Sequence, residues 1–184
     1  HELTFSLRRE RPGVVHSKQV GVVRAPLRAV LALLTDESRT PEYDDNVLRE
    51  VRLVELDAAA IAAHTGRRVV HAAVLRSEGK SPLPALIRPR DVVGLFCRID
   101  DADGSVTLPF GSFVHPATPE EPQKYVRADV LGGGVVLSLA AAGGTRFAAV
   151  TKLDLRGPPV PFWLIRRLAL ADGLGGLVSL ERAA

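Results

Sequence analysis

Residues 157–180, GPPVPFWLIRRLALADGLGGLVSL, constrain the fold more than any other part of this chain. Pro158, Pro159 and Pro161 stiffen the approach, and a proline sits comfortably in the first turn of a helix. No proline follows, and apolar residues recur at helical spacing, which predicts a long terminal helix. Wound at about 100° per residue, Trp163, Leu170, Leu174 and Leu177 form one apolar stripe. Leu164, Leu168, Ala171 and Val178 form its neighbour. Together the stripes need a large apolar surface to lie on. Two readings stand: a core helix docked on a sheet, or a lid over a hollow one. The lid reading draws on Gly173, Gly175 and Gly176, because each glycine weakens a helix interior by about 1 kcal/mol relative to alanine. A helix weakened there can bend away and return.

The remaining chain supplies such a sheet. Leu3, Phe5 and Leu7 alternate with polar residues, the period of a half-buried strand. Further strands are expected over 14–24, 47–56, 68–76, 91–100, 105–114 and 145–155, with 100–104 (DDADG) as a hairpin turn. Residues 125–142 read as a strand hairpin or a bulged strand, since Gly132, Gly133 and Gly134 interrupt it. Pro26 opens a short helix. Residues 37–46 form a polar segment, 58–63 a turn or single helical turn, and 81–89 a proline-rich loop. Eight or nine strands in hairpin succession, with helices at the ends, place the chain in the α+β class as one domain spanning 1–184.

Composition narrows the function. The formal charge of +3 comes with only 5% aromatic residues, so no basic patch carries the interleaved rings that base stacking uses, and nucleic acid is not an expected partner. A mild preference for anionic membrane surfaces fits the charge. Cys97 is the single cysteine, which excludes an internal disulfide. The histidines show no HxxxH pair and stand beside no cysteine cluster, so no metal or other cofactor is expected. The triple glycine is not followed by Lys-Ser or Lys-Thr, and the sequence around Ser112 is no nucleophile elbow. A curved antiparallel sheet covered by an amphipathic helix is a shape for holding something apolar. It needs no catalytic residue.

Several segments resemble the START lipid-transfer domain family. They are Pro89-Arg90-Asp91-Val92-Val93, then Ser112-Phe113-Val114-His115-Pro116, then Tyr125-Val126-Arg127-Ala128 and the run 151–161, TKLDLRGPPVP. Val160-Pro161-Phe162-Trp163-Leu164-Ile165 looks most like the phosphatidylcholine-transfer branch. The resemblance implies a helix-grip fold, a curved antiparallel sheet around the long C-terminal helix with a tunnel for one lipid, and a START-like domain whose first helix is missing. It implies lipid binding and transfer between membranes without catalysis, by a monomer touching membranes transiently. The expected setting is the cytoplasm or the periphery of an intracellular membrane, any targeting segment lying outside this sequence.

In the phosphatidylcholine branch a D-x-x-x-R-x-x-W-D segment meets the phosphate. Here 36–44 reads DESRTPEYD: Asp44 matches, Tyr43 stands for the tryptophan, and Arg39 falls one residue early, with Thr40 in its place. The branch's choline-cage positions fall on Ala72, Val92 and Leu131, all aliphatic. A sterol, fatty acid, glycolipid or other phospholipid is thereby as compatible as a choline lipid. The candidate lipid contacts are Arg39, Tyr43, Asp44, His71, Arg127, Trp163, Leu164, Leu168, Ala171 and Val178, with Gly173, Gly175 and Gly176 as the gate. Arg127 either faces solvent beside Asp129 or turns inward as a polar anchor. Two rivals stay open: a helix-grip enzyme of the polyketide cyclase or aromatase type, using His71 and Arg127, and a lipid-sensing module of a larger protein.

Overall fold

Among the described residues, nine strands and four α-helices follow one another in an order that leaves the long helix for last. In the computed structural model they run β1 (Leu3–Arg11), β2 (Val14–Val23), α1 (Leu27–Leu34), a 3-10 turn (Glu37–Arg39), α2 (Thr40–Tyr43) and β3 (Val47–Glu55). Then come α3 (Ala58–Thr65), β4 (Val69–Gly79), β5 (Arg90–Asp100), β6 (Val106–Ser112), β7 (Val126–Arg127), β8 (Asp129–Leu139), β9 (Thr145–Asp154) and α4 (Phe162–Ala183). The structure describes residues 3–81, 83, 84, 87–141, 143–158 and 160–184, without the side chains of residues 3, 168, 170–175 and 177.

The sheet order is β1-β2-β9-β8-β6-β5-β4-β3, with neighbours antiparallel; the two-residue β7 pairs parallel with β5 off this path. The sheet does not close, and β1 and β3 are its edges. This is the α+β arrangement expected, with α4 laid along the sheet and touching β1 and β2 at one side and α2 at the other. Pro161 stands at the N-cap of α4, as the proline pattern predicts, and the helix runs unbroken through Gly173, Gly175 and Gly176.

Two apolar clusters hold these layers. In the larger, Val30 and Leu33 of α1 and Leu180 of α4 pack on Leu108, Leu137 and Phe147 of the sheet. In the smaller, Ile61 and Ala62 of α3 cover Ala72 and Cys97. Sequence reading expected at most one helical turn around 58–63. A full helix forms there because Asp57 Oδ1 accepts hydrogen bonds from the amides of Ala59 and Ala60 at 2.9 and 3.0 Å. Gly66 closes it in the left-handed region at φ 66°.

The triple glycine has a packing cause. Gly133 pairs with Phe110 across the β6–β8 ladder, and a Cβ at Gly133 would lie 2.5 Å from the Phe110 ring. Gly133 makes room for an aromatic side chain, while a Cβ at Gly134 would press on the Leu108 carbonyl oxygen and on Pro109, both at 3.3 Å. The strand is bulged, one of the two forms the sequence suggested: the register shifts between Val130 and Gly132.

Candidate functional site

Strand pleating decides which side chains face α4. On β4 the alternating residues His71, Leu75 and Ser77 face one way, and their neighbours on β5 are Val92, Gly94 and Phe96. With Phe110 of β6, Phe147, Thr151 and Leu153 of β9, Val15, Ser17 and Gln19 of β2, and Phe5 and Leu7 of β1, they form the concave wall of a cavity of about 930 Å³. Val160, Ile165, Ala169, Gly176, Ser179 and Leu180 close it from the helix side. The wall is mostly apolar, and its volume falls near the top of the usual range of about 300–1,000 Å³ for small-ligand sites.

Polar groups enter this wall at a few places. Thr40, 6% exposed, donates its hydroxyl hydrogen to Glu50 Oε2 at 2.7 Å and accepts from the Tyr43 hydroxyl at 3.4 Å. Burial pushes the Tyr43 phenol up to about 12. Burial also raises the Glu50 carboxyl; the Thr40 hydrogen bond opposes this, while the Glu37 and Asp44 carboxylates add to it. Asp44 Oδ1 accepts from the Asn46 amide at 3.0 Å. His71 lies with Nδ1 3.0 Å from Glu55 Oε1 and its ring tilted against Phe96 at 6.1 Å. Arg90 donates to the backbone oxygens of Arg88, at 2.6 Å, and Leu155, at 3.5 Å. Among the described residues no carboxylate pairs with Arg90, and burial, then Arg88, lowers its guanidinium from the ordinary value.

The opposite face of the same strands carries an ionic network. Asp91, 1% exposed, accepts from Arg127 Nε and Nη2, both at 2.9 Å, and from Arg76 Nε at 3.2 Å. Tyr125 donates to Glu78 at 3.2 Å, and Arg49 reaches Glu78 at 3.0 Å. These bonds tie β4, β5 and β7 and the segment before β7 together behind the cavity wall.

The family model for the START domain matches residues 4–172. This chain belongs to the START domain family. Among curated proteins no sequence matches this START domain significantly. Its fold is shared with human STARD10, at 17% identity and TM-score 0.75, over 97% of this chain and 72% of that one. It is similar also to human StAR-related lipid transfer protein 5, at 20% identity and TM-score 0.77, over 97% of this chain and 85% of the other. A third structure, the Zhui aromatase/cyclase from Streptomyces sp. R1128, is 12% identical with TM-score 0.57, over 92% of this chain and 93% of that one. Likeness at these identities is likeness of fold.

Within this START domain the structure brings Tyr43, Asp44, His71 and Gly176 together around the cavity. Arg39 lies elsewhere: its guanidinium pairs with Glu42 at 2.7 Å and donates to the Ala183 carbonyl oxygen at 3.0 Å, and Thr40 takes the place in the wall. Arg127 is spent on Asp91, behind the sheet. Asp91 is thus the partner of Arg127 and Arg76 rather than of its sequence neighbour Arg90. Trp163, 67% exposed, and Val178, 48% exposed, point away from the cavity, and Leu164 is not part of its wall. The inward face is Ile165, Ala169, Gly176 and Leu180, rotated from both stripes read in the sequence. Leucines and alanines so fill α4 that composition alone leaves its rotation undetermined. The side chains of Leu168 and Ala171, and Gly173 and Gly175 as parts of the wall, lie outside the described residues.

Thr40, Glu50, Arg90 and Ile165 were missed. Glu50 was hidden by a register shift between Val47 and Arg49, which turns residues three apart, Val47 and Glu50, to one face. Arg90 was legible: it shares the two-residue phase of Val92, Gly94 and Phe96. Among the described residues no group of three or more His, Cys, Asp or Glu is placed to hold a metal ion. Among them, too, no helix is long and apolar enough to cross a membrane.

Proposed function

We propose that this START domain binds one amphipathic lipid in the cavity between sheet and α4 and carries it between membranes. The observation that supports this most is the cavity itself: about 930 Å³, mostly apolar, and bounded on one side by a single helix. Each CH₂ of an acyl chain moved from water into such a space gains about 0.8 kcal/mol. The tail packs against Leu75, Phe96, Phe110 and Phe147, and the polar wall around Tyr43, Asp44 and His71 meets the head group. Loading opens α4, with Gly173, Gly175 and Gly176 as the compliant part. Trp163, exposed near the start of α4, enters the membrane interface, where tryptophan is favoured.

Native mass spectrometry after incubation with mixed liposomes tests the reading. One lipid per chain, delivered to acceptor vesicles more slowly after Trp163→Ala, is the expected result. A protein that stays empty would sink it. The second reading, a helix-grip enzyme, draws on two ionisable side chains, Glu50 and His71, in one cavity. Conversion of an added aromatic polyketide, lost in His71→Ala, would favour that reading over the carrier.

A further inference from the structure

The β3 side of the cavity holds a carboxylate, Glu50, that pairs with no cation among the described residues. Several other acidic side chains are paired with cations: Glu37 with Arg52, Glu42 with Arg39, Glu78 with Arg49, and Asp91 with Arg76 and Arg127. Among the described residues the side-chain partner of Glu50 is the Thr40 hydroxyl, at 2.7 Å. Among the described residues the charged groups acting on it are Glu37 and Asp44, both acidic.

The direction of the hydrogen bonds matters. The Tyr43 hydroxyl donates to Thr40, and Thr40 donates to Glu50 Oε2. Each donor in the chain is therefore spent toward the carboxylate, and the chain terminates in acceptors. Glu50 is half-buried and its open side is the cavity, where an acceptor shielded from bulk water favours being filled. A ligand group placed there must bring a hydrogen. A phosphate or carboxylate head would bring negative charge toward Glu50 and Asp44, neither of which pairs with a cation among the described residues, and toward Glu37, whose own partner Arg52 is already engaged. An ammonium head would require two desolvated charges in a wall that already disfavours the ionised carboxyl. A hydroxyl donates without importing charge.

We propose that Glu50, positioned by Thr40 and Tyr43, is a head-group subsite that accepts a hydrogen bond from the uncharged hydroxyl of a lipid alcohol. The inference rests on the carrier reading and names the ligand class it would take.

Three ligands with one 18-carbon chain and different heads isolate the subsite: oleyl alcohol, oleate and oleylamine, each titrated to displace a fluorescent naphthalene sulfonate from the cavity. The alcohol is expected to bind about tenfold more tightly than oleate, the scale of one net hydrogen bond. Glu50→Leu should remove that advantage and leave oleate unchanged or improved, while Glu50→Gln, which keeps an acceptor of the same size, should retain most of it. Equal affinity of alcohol and oleate, or an equal loss of all three ligands in Glu50→Leu, would overturn the subsite with the carrier reading intact. Tightest binding of oleylamine, lost in Glu50→Gln, would overturn the hydroxyl assignment and make Glu50 a cation site. Failure of all three to displace the probe would overturn the carrier reading, and the subsite with it.

Discussion

Asp91 stands between two arginines that arrive from β4 and β7, and each supplies charge that a buried carboxylate requires. Removing one partner of such a group leaves uncompensated charge behind. Asp91→Ala is expected to cost about 3–5 kcal/mol, read by urea unfolding; a change under about 1 kcal/mol would show that the arginines reach water instead. Glu50 behaves differently. Its carboxyl, 4.5 in an open chain, is raised in the fold, so the folded state holds the proton more tightly. That contribution is fully present below the unfolded value and is lost as pH rises through the folded value. Glu50→Gln cannot ionise and escapes the loss: its melting temperature should exceed the parent's at pH 8, by a margin that shrinks toward pH 4. A margin constant with pH would show that Glu50 ionises as freely folded as unfolded. Asp91 belongs to a motif visible in the sequence, but its partners come from 15 and 36 residues away. Glu50 belongs to no motif, and a shift of register concealed its face.

At the scale of elements, periodicity carried most of the information. The alternation along β1 and the proline boundary before α4 located both elements, because each follows from backbone sterics local to the segment. Which side of α4 faces the cavity is a tertiary fact, decided by where Leu180 enters the core between α1 and the sheet. Gly176 lines the cavity, and a Cβ there would meet nothing within 4 Å. Gly176→Ala should therefore stabilise α4 by up to about 1 kcal/mol and slow lipid exchange between vesicles more than it changes affinity. Unchanged exchange would dismiss the glycines as the compliant part of the helix. α3 shows the limit of pattern reading: its alanines have little amphipathic signature, and the Asp57 and Gly66 caps were the informative residues.

For the molecule as a whole, a ligand bound only by the folded state adds to stability by mass action. At a free concentration 100 times its dissociation constant the gain is about 2.7 kcal/mol, or roughly 5–10 °C in melting temperature for a chain of this size. A lipid that co-purifies and raises no melting temperature would be surface-bound. The α+β architecture was legible because hairpin-linked strands and one amphipathic helix have few ways to pack. The cavity's polar chemistry was not, because it joins residues from α2, β3 and β4 that only the assembled sheet makes neighbours.

The β2–β9 ladder sets Val14 against Asp154 and Val23 against Thr145. Contacts so distant along the chain are slow to form, since loop closure must precede any gain from them. The meander from β3 to β6 can assemble from nearby partners, whereas the β1–β2 hairpin joins the sheet only through β9. One side of the cavity is therefore built early and the other late. During synthesis the nascent chain presents an open apolar trough, and it becomes a container only when the last strand and α4 have emerged.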